Sequence, residues 1–208
     1  MIKSKENIQN KDNSEDRYLI TTSLLNSWAY IFSAEDGEYA EKAYNEFINS
    51  LNKIPIPTNF FMQRGIDFED ECVEGKVPGI SEVIKDGVFQ AVAMKDVRIQ
   101  GTNVLMYGRL DCLKAGKIYD IKRVSKYETQ KYYNSYQHHF YMELIPEASE
   151  FHYLINDGEK TYWESYRRDE KRDIISVIGS FYRWLKDNNL WETYKAKWKS
   201  KYSSKEEK

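Results

Sequence analysis

Cysteine is scarce in this sequence of 208 residues, which contains only Cys72 and Cys112. Two cysteines do not indicate a disulfide framework of the kind that stabilises small secreted proteins. No apolar run is long enough to predict a membrane span. The N-terminal segment MIKSKENIQNKDNSEDR is polar and lacks the apolar core of a secretory signal. Together these absences predict an intracellular protein that does not enter a membrane.

An excess of charge of one sign is also missing, since the net charge is −2 and the pI is about 6.0. This balance argues against a protein that coats nucleic acid through bulk charge. Positive charge is nevertheless concentrated locally in the segment from Lys114 to Lys131, which also contains Lys117, Lys122, Arg123 and Lys126. On charge alone, this segment is best interpreted as an ordinary solvated surface.

The composition is that of a folded α/β domain, with 41% hydrophobic and 31% charged residues. The length suits a single domain with a sizeable core, and we find neither an internal repeat nor an interdomain linker. We predict a disordered tail over residues 1–17, one domain over residues 18–199 and a mobile tail over residues 200–208.

Apolar periodicity and turn residues predict an alternation of helices and strands. The first predicted helix begins near residue 22. Further helices are predicted over about residues 37–52, 58–73, 128–144, 174–185 and 190–199, with a short helical turn at 80–85. Predicted strands cover residues 88–100, a hairpin around Lys114-Ala115-Gly116 and a second hairpin formed by residues 151–155 and 161–166.

The first hairpin brings acidic side chains together. If its turn is centred between Ala115 and Gly116, Asp111 lies opposite Asp120, at a Cβ separation of roughly 4.5–5.5 Å. Lys122 then shares a face with Asp120. Two carboxylates this close require a proton or a cation between them, and a hard divalent ion is the usual solution. A slip of one residue would move Asp111 to the other face, and the turn residues do not exclude it.

Three short motifs around this hairpin resemble those of the PD-(D/E)xK nuclease superfamily, in its RecB-type branch. They are Gly108-Arg109-Leu110-Asp111, Asp120-Ile121-Lys122 and the run from Gln137 to Tyr141. The resemblance implies a restriction-endonuclease-like α/β fold, with a central mixed β-sheet flanked by α-helices, and metal-dependent hydrolysis of DNA. From Leu19 to Trp198 the chain also resembles small stand-alone nucleases of phages and prophages.

By this resemblance, the metal ligands are Glu69, Asp111, Asp120 and the Ile121 carbonyl. The expected ion is Mg²⁺, which Mn²⁺ should be able to replace. Asp111, Asp120 and Lys122 would be the catalytic residues. Lys122 would orient or deprotonate the attacking water, a role that a lowered pKa would suit. The simpler interpretation of Lys122 is a salt bridge to one of the two aspartates.

The third predicted helix offers a second candidate ligand next to Glu69. The apolar neighbours of Glu69 place it on the inward-facing stripe, where an unpaired carboxylate is costly. In RecB-type proteins, a Glu or His ligand follows a glycine on a helix, and the run Gly65 to Glu69 fits that pattern. Asp70 is the main rival, and a solvated acidic helix edge is the alternative to both.

DNA contacts are also implied by the resemblance. Gln137, Tyr141 and Tyr133, expected on one helix face, would contact the DNA backbone and brace the site, with Arg123 and Lys126 as further contacts. The spacing is equally compatible with a structural role, in which the Gln and the two Tyr lie at the rim of the core and do not contact DNA. A zinc site at His138 and His139 is rejected, because adjacent helical side chains diverge by roughly 100°.

The expected activity is that of an exonuclease that acts from DNA ends in phage recombination or DNA processing, in the cytoplasm of a bacterial host. Expected partners are DNA, a phage recombinase or a single-strand-binding protein, and a second copy of the chain. The alternative is a non-catalytic protein of nuclease fold that binds DNA or inhibits a host protein. Cleavage polarity, strand preference and the choice between exonuclease and endonuclease stay open.

Overall fold

A computed structural model describes residues 16–34 and 37–201 of the chain. This part forms six β-strands and seven α-helices. In chain order they are β1 (Arg17–Ile20), α1 (Thr22–Ser33), α2 (Glu38–Leu51), α3 (Phe60–Val73), α4 (Ser81–Ile84), β2 (Val88–Ile99), β3 (Thr102–Lys114), β4 (Lys117–Arg123), α5 (Gln137–Leu144), β5 (Glu150–Asn156), β6 (Thr161–Arg167), α6 (Ile174–Asp187) and α7 (Trp191–Trp198). None of these helices is both long and apolar enough to cross a membrane.

The two predicted tails fall almost wholly outside the described residues. Arg17, assigned to the N-terminal tail, is in fact the first residue of β1. The backbone N–H of Ser200 donates to the carbonyl of Arg17 at 2.7 Å. Both ends of the described chain are therefore fastened to the sheet.

The six strands form one mixed sheet. Its order is β1-β3-β4-β5-β6, and β2 pairs with β3 off this path. The pairs β1/β3 and β4/β5 are parallel, whereas β2/β3, β3/β4 and β5/β6 are antiparallel. The long strand β3 pairs with β1 near its beginning and with β4 near its end.

Helices cover both faces of this sheet. The larger apolar cluster contains buried residues of α1, α2, α5, α6 and α7. A smaller cluster packs Phe68 and Cys72 of α3 against strand residues that include Tyr119. Ile118 and Tyr119 are neighbours on β4 yet belong to different clusters, as expected for side chains on opposite faces. The predicted α/β fold, a central mixed sheet flanked by helices, is confirmed.

The predicted helix over residues 128–144 is wrong in its first half. Helix α5 begins only at Gln137, and residues 129–134 form turns. Backbone N–H groups of this segment donate hydrogen bonds to side chains that are distant in the sequence. Tyr132 N–H donates to Glu164 Oε2 at 3.2 Å, and Tyr136 N–H donates to Asn26 Oδ1 at 2.9 Å. Periodicity along the chain carries no information about these distant partners.

Gly108 of β3 is expected to tolerate no side chain. A Cβ atom at this position would lie 2.3 Å from Cε1 of Tyr141 and 2.9 Å from Cδ1 of Leu144. Tyr141 is 6% exposed and its hydroxyl donates to the carbonyl of Arg109 at 2.9 Å, so its ring cannot easily move away. We expect Gly108→Ala to lower the free energy of unfolding by roughly 1–3 kcal/mol, measured by urea denaturation.

Gly65→Ala is the matched control for this prediction. Gly65 lies within helix α3, and a Cβ atom there would meet nothing within 4 Å. Alanine should therefore stabilise the protein by roughly 0.5–1 kcal/mol through the helix backbone alone. Destabilisation of similar size at both glycines would contradict the assignment of Gly108 as a position of close packing.

Candidate active site

The β3–β4 hairpin has the predicted register. Its pairs are Cys112 with Tyr119, Leu113 with Ile118 and Lys114 with Lys117. Ala115 and Gly116 have positive φ angles of 49° and 70°, as a tight two-residue hairpin turn requires. The one-residue slip is therefore excluded.

The two strands separate beyond the Cys112–Tyr119 pair, at the end of the ladder away from the turn. Arg109 and Asp111 belong to β3, and Asp120 and Lys122 belong to β4. Even so, neither Asp111 with Asp120 nor Arg109 with Lys122 forms a backbone pair. The carboxylate of Asp111 instead accepts a hydrogen bond from Ile121 N–H at 2.9 Å. A side chain thus takes a backbone donor of β4, and the opening leaves room for acidic groups between the strands.

Asp120 is the most enclosed acidic residue of the site, at 3% exposure. Its Oδ1 accepts a hydrogen bond from Gln137 Nε2 at 2.5 Å. Its Oδ2 lies 2.6 Å from Lys122 Nζ in an ion pair. Each oxygen of this buried carboxylate therefore has a different partner, Gln137 at Oδ1 and Lys122 at Oδ2.

Asp111 and Glu69 complete a group that we call the carboxylate cluster: Glu69, Asp111 and Asp120. Burial raises the pKa of Asp111 well above its usual value, and the charges of Asp120 and Glu69 raise it further. Burial also raises the pKa of Glu69, and the Asp120 charge adds to this effect. The three carboxylates repel one another and would all gain from a cation among them.

The helix residue at this cluster is Glu69. Its side chain is half-buried on α3, whereas Asp70 is exposed. Glu69 Oε1 accepts a hydrogen bond from Gln90 Nε2 on β2. The structure therefore brings Glu69, rather than its rival Asp70, to the two aspartates.

Gln90 is a site residue to which the sequence assigned no role. It has a positive φ of 52°, which is uncommon for a residue other than glycine. The β2–β3 ladder pairs Phe89 with Cys112 and Ala91 with Leu110 but skips Gln90 and Asp111 between them. An interruption of a ladder next to a site commonly redirects a side chain, and here it turns Gln90 toward Glu69.

Lys122 belongs to the same group of charges. Burial lowers its pKa, but the Asp120 and Asp111 carboxylates outweigh burial, so that the pKa is raised above its ordinary value. This is opposite to the lowered pKa expected for a general base. In this structure, Lys122 is a fixed ammonium beside Asp120.

A metal ion fits the chemistry of these donors, although they do not form a finished cage. Among the described residues, no three His, Cys, Asp or Glu side chains are grouped closely enough to hold a metal ion. The predicted convergence of three carboxylates on one point is therefore not observed. Each is held by a different donor: Glu69 by Gln90, Asp111 by Ile121 N–H, and Asp120 by Gln137 and Lys122. Repelling oxygen donors in one opening still suit a hard divalent cation.

The predicted DNA contacts lie in very different surroundings. Gln137 holds Asp120, and Tyr141 is buried behind Gly108, where it braces β3 and is not open to DNA. Tyr133 is 54% exposed but lies in a turn, so the helix face predicted for it is wrong. Arg123 donates to the carbonyls of Val124 and Asn156 at 2.5 and 3.1 Å.

Lys126 is exposed and paired with Glu128 at 3.3 Å. An exposed lysine in such a surface pair can exchange its partner at little cost. Its predicted contact with DNA is therefore compatible with its position.

The expected divergence of His138 and His139 is also wrong. Their rings lie 3.9 Å apart, and both are buried at the beginning of α5. Their Nε2 atoms have no hydrogen-bond partner among the described residues. His152, on β5, is likewise buried, and its Nδ1 lies 2.7 Å from Ser165 Oγ.

Comparison with known proteins gives a likeness in fold. No protein-family model and no curated protein sequence matches the chain. The chain is similar to the solved structure of SSO0001, with 12% identity and a TM-score of 0.51 over 85% of this chain and 80% of that one. This likeness shows a shared fold.

A second similar structure is an alkaline exonuclease (LHK-Exo) from Laribacter hongkongensis. It is 14% identical, with a TM-score of 0.47, over 85% of this chain and 92% of that one. The structure of LHK-Exo in complex with dAMP gives 13% identity and a TM-score of 0.49 over the same shares.

Proposed function

We propose that this protein is a Mg²⁺-dependent deoxyribonuclease of the PD-(D/E)xK type that hydrolyses phosphodiester bonds from DNA ends. The observation that carries the proposal is that Glu69, Asp111, Asp120 and Lys122 lie near enough to influence one another electrostatically where β3 separates from β4. Three acids and one ammonium are brought together there from a helix and two strands. The residue types and their order along the chain resemble the RecB-type motifs.

Phosphodiester hydrolysis forms a bond from a water oxygen to phosphorus and breaks the bond from phosphorus to the leaving sugar oxygen. A bound Mg²⁺ would polarise the phosphate and activate the water. Glu69, Asp111, Asp120 and the Ile121 carbonyl would hold it, and Mn²⁺ would be able to replace it. Because Mg²⁺ keeps several waters and binds substrate phosphate, it does not need a complete protein cage.

The other residues act on position and charge. Lys122 would orient the attacking water and offset the negative charge that develops on the phosphate. Gln137 fixes Oδ1 of Asp120, and Gln90 fixes Glu69. Tyr141 holds β3 through the carbonyl of Arg109, close to Asp111. These contacts keep the acids in place as an ion and a phosphate bind.

The biological setting follows from the motif resemblance. We propose a role in phage recombination or DNA processing in the bacterial cytoplasm, together with a recombinase or a single-strand-binding protein. A ring formed by several copies of the chain would account for continuous digestion, because the sequence has no motif for an ATP-driven motor.

The test is a cleavage assay on linear duplex, covalently closed circular and single-stranded DNA. With Mg²⁺ or Mn²⁺ we expect progressive loss of linear DNA, an intact circle and no reaction in EDTA. Nicking of the closed circle would instead indicate an endonuclease. Binding to DNA without cleavage under every condition would favour the non-catalytic alternative, in which the Lys122–Asp120 ion pair is purely structural.

A further inference from the structure

A cavity of about 520 Å³ lies beside strand β6, at the beginning of α5. Segments 127–133 and 170–172 form its walls, and none of Glu69, Asp111, Asp120 and Lys122 lines it. The cavity is therefore a feature separate from the carboxylate cluster. Its volume is within the range of about 300–1,000 Å³ that is common for small-molecule sites.

Glu164 preorganises the aromatic wall of this cavity. It is 7% exposed and accepts hydrogen bonds from Tyr127 OH at 2.8 Å, Tyr166 OH at 2.7 Å and Tyr132 N–H at 3.2 Å. Both carboxylate oxygens are occupied by these donors. Glu164 therefore fixes the hydroxyl groups of Tyr127 and Tyr166 in the wall of the cavity.

Tyr133 and Arg172 stand at the cavity as a pair. Tyr133 is 54% exposed, and the guanidinium carbon of Arg172 lies 5.7 Å from its ring centre. Arg172 Nη2 donates to Asn134 Oδ1 at 3.2 Å, and its backbone N–H donates to His139 Nδ1 at 3.2 Å. The arrangement offers one aromatic face and one oriented cation.

Two buried, neutral histidines form the inner wall of the cavity. Because His139 Nδ1 accepts the Arg172 N–H, the proton of its neutral ring is on Nε2. Burial lowers the pKa of His139 to about 4 and that of His138 to about 3, so both rings are neutral at pH 7. His138 stacks on Tyr166 with ring centroids 3.9 Å apart.

The edge of the sheet supplies backbone groups. Trp163 and Ser165 line the cavity, yet their side chains contact His152: the Ser165 Oγ at 2.7 Å and the Trp163 ring at 6.0 Å between centroids. The backbone atoms of Trp163 and Ser165 therefore line the cavity, and their side chains point away from it. Among the described strands, β6 pairs only with β5, so its outer edge carries backbone donors and acceptors that no strand uses.

We propose that this cavity binds one unpaired nucleobase of a DNA strand. Tyr133 would stack on the base, the β6 edge would hydrogen-bond to its rim, and Arg172 would contact its phosphate. A planar ring, a polar rim and an attached anion are the three features that this lining complements. The proposal rests on the proposed nuclease function, because Gln137, which holds Asp120, directly precedes His138 in the cavity wall.

The test measures binding of deoxyadenosine 5′-monophosphate and of deoxyribose 5-phosphate by calorimetry in EDTA. We expect the nucleotide to bind on the order of tenfold tighter than the sugar phosphate, because stacking on one aromatic side chain is worth about 1–3 kcal/mol. Tyr133→Ala should remove this preference and Tyr133→Phe should keep it. Arg172→Gln should weaken the binding of both compounds, because both carry the phosphate that Arg172 would contact.

Tyr39→Ala serves as the control, since Tyr39 is 69% exposed on α2 and does not line the cavity. Equal binding of the two compounds, no binding of either, or an unchanged preference in Tyr133→Ala would overturn the proposal. Because EDTA prevents cleavage, the result is independent of the nuclease test. If the protein cleaves DNA but does not prefer the nucleotide, only the proposed base-binding site is contradicted. If it prefers the nucleotide but does not cleave DNA, only the proposed nuclease function is contradicted.

Discussion

Asp120→Asn is expected to abolish DNA cleavage while the protein stays folded. Asp120 is the one residue of the carboxylate cluster that contacts both Lys122 and Gln137, at 2.6 and 2.5 Å. Asparagine has almost the same shape, so it can keep a hydrogen bond with Gln137, but it loses the charge that would hold a divalent cation. Metal-ion catalysis contributes several kcal/mol, and each 1.36 kcal/mol is tenfold in rate, so kcat should fall on the order of 10³-fold or more.

The measurements are the initial cleavage rate, Mg²⁺ binding by calorimetry and the circular dichroism spectrum. Asp70→Asn is the matched control: it removes the same charge from an exposed position adjacent to Glu69. We expect this control to keep activity and metal affinity. An Asp120→Asn protein that cleaves DNA as fast as the parent would show that the carboxylate cluster is not the active site.

Lys122→Ala is expected to lose catalysis without losing the metal ion. Lysine has only donors and cannot coordinate a cation, so Mg²⁺ affinity should be retained. Both the water-positioning role and the compensation of phosphate charge disappear, and kcat should decrease by a factor on the order of 10² or more. Lys122→Arg should not restore the rate, because a planar guanidinium that stays protonated does not reproduce the geometry of an ammonium.

The ion pair in the structure adds a second readout. Asp120 is buried, and Lys122→Ala leaves its Oδ2 without a cation, so thermal stability should fall as well. Rates must therefore be measured at a temperature at which the variant is folded. Lys42→Ala, in which an exposed ion pair with Glu46 on α2 is lost, should leave both rate and stability unchanged. If Lys122→Ala were less stable but fully active, Lys122 would be a structural ion-pair residue.

Local features of the sequence carried much of the fold. Strand β2, both hairpins and helices α2, α6 and α7 lie close to their predicted positions. The register of the β3–β4 hairpin was predicted only on the condition of a turn centred between Ala115 and Gly116, because the turn residues left a one-residue slip open. The backbone pairs and the positive φ angles at these two residues in the structure exclude the slip. The periodicity argument for Glu69 was only partly right. Glu69 is half-buried, but the buried residues of α3 are Phe68 and Cys72, and the apolar neighbours Ile66 and Val73 are 50% and 44% exposed.

The sequence by itself thus supplied the candidate site residues and most of the local elements, because motifs, turn residues and periodicity can be recognised among near neighbours in the chain. The tertiary structure decided how those residues are used. Gln90 donates a hydrogen bond to Glu69, which is 21 positions away in the sequence. Tyr132 N–H donates to Glu164, which is 32 positions away, and the segment before Gln137 is therefore not helical. Burial raises the pKa of Asp111, and neighbouring carboxylates raise that of Lys122. Desolvation and long-range hydrogen bonds depend on which segments pack together, and the local pattern of a sequence does not contain that information.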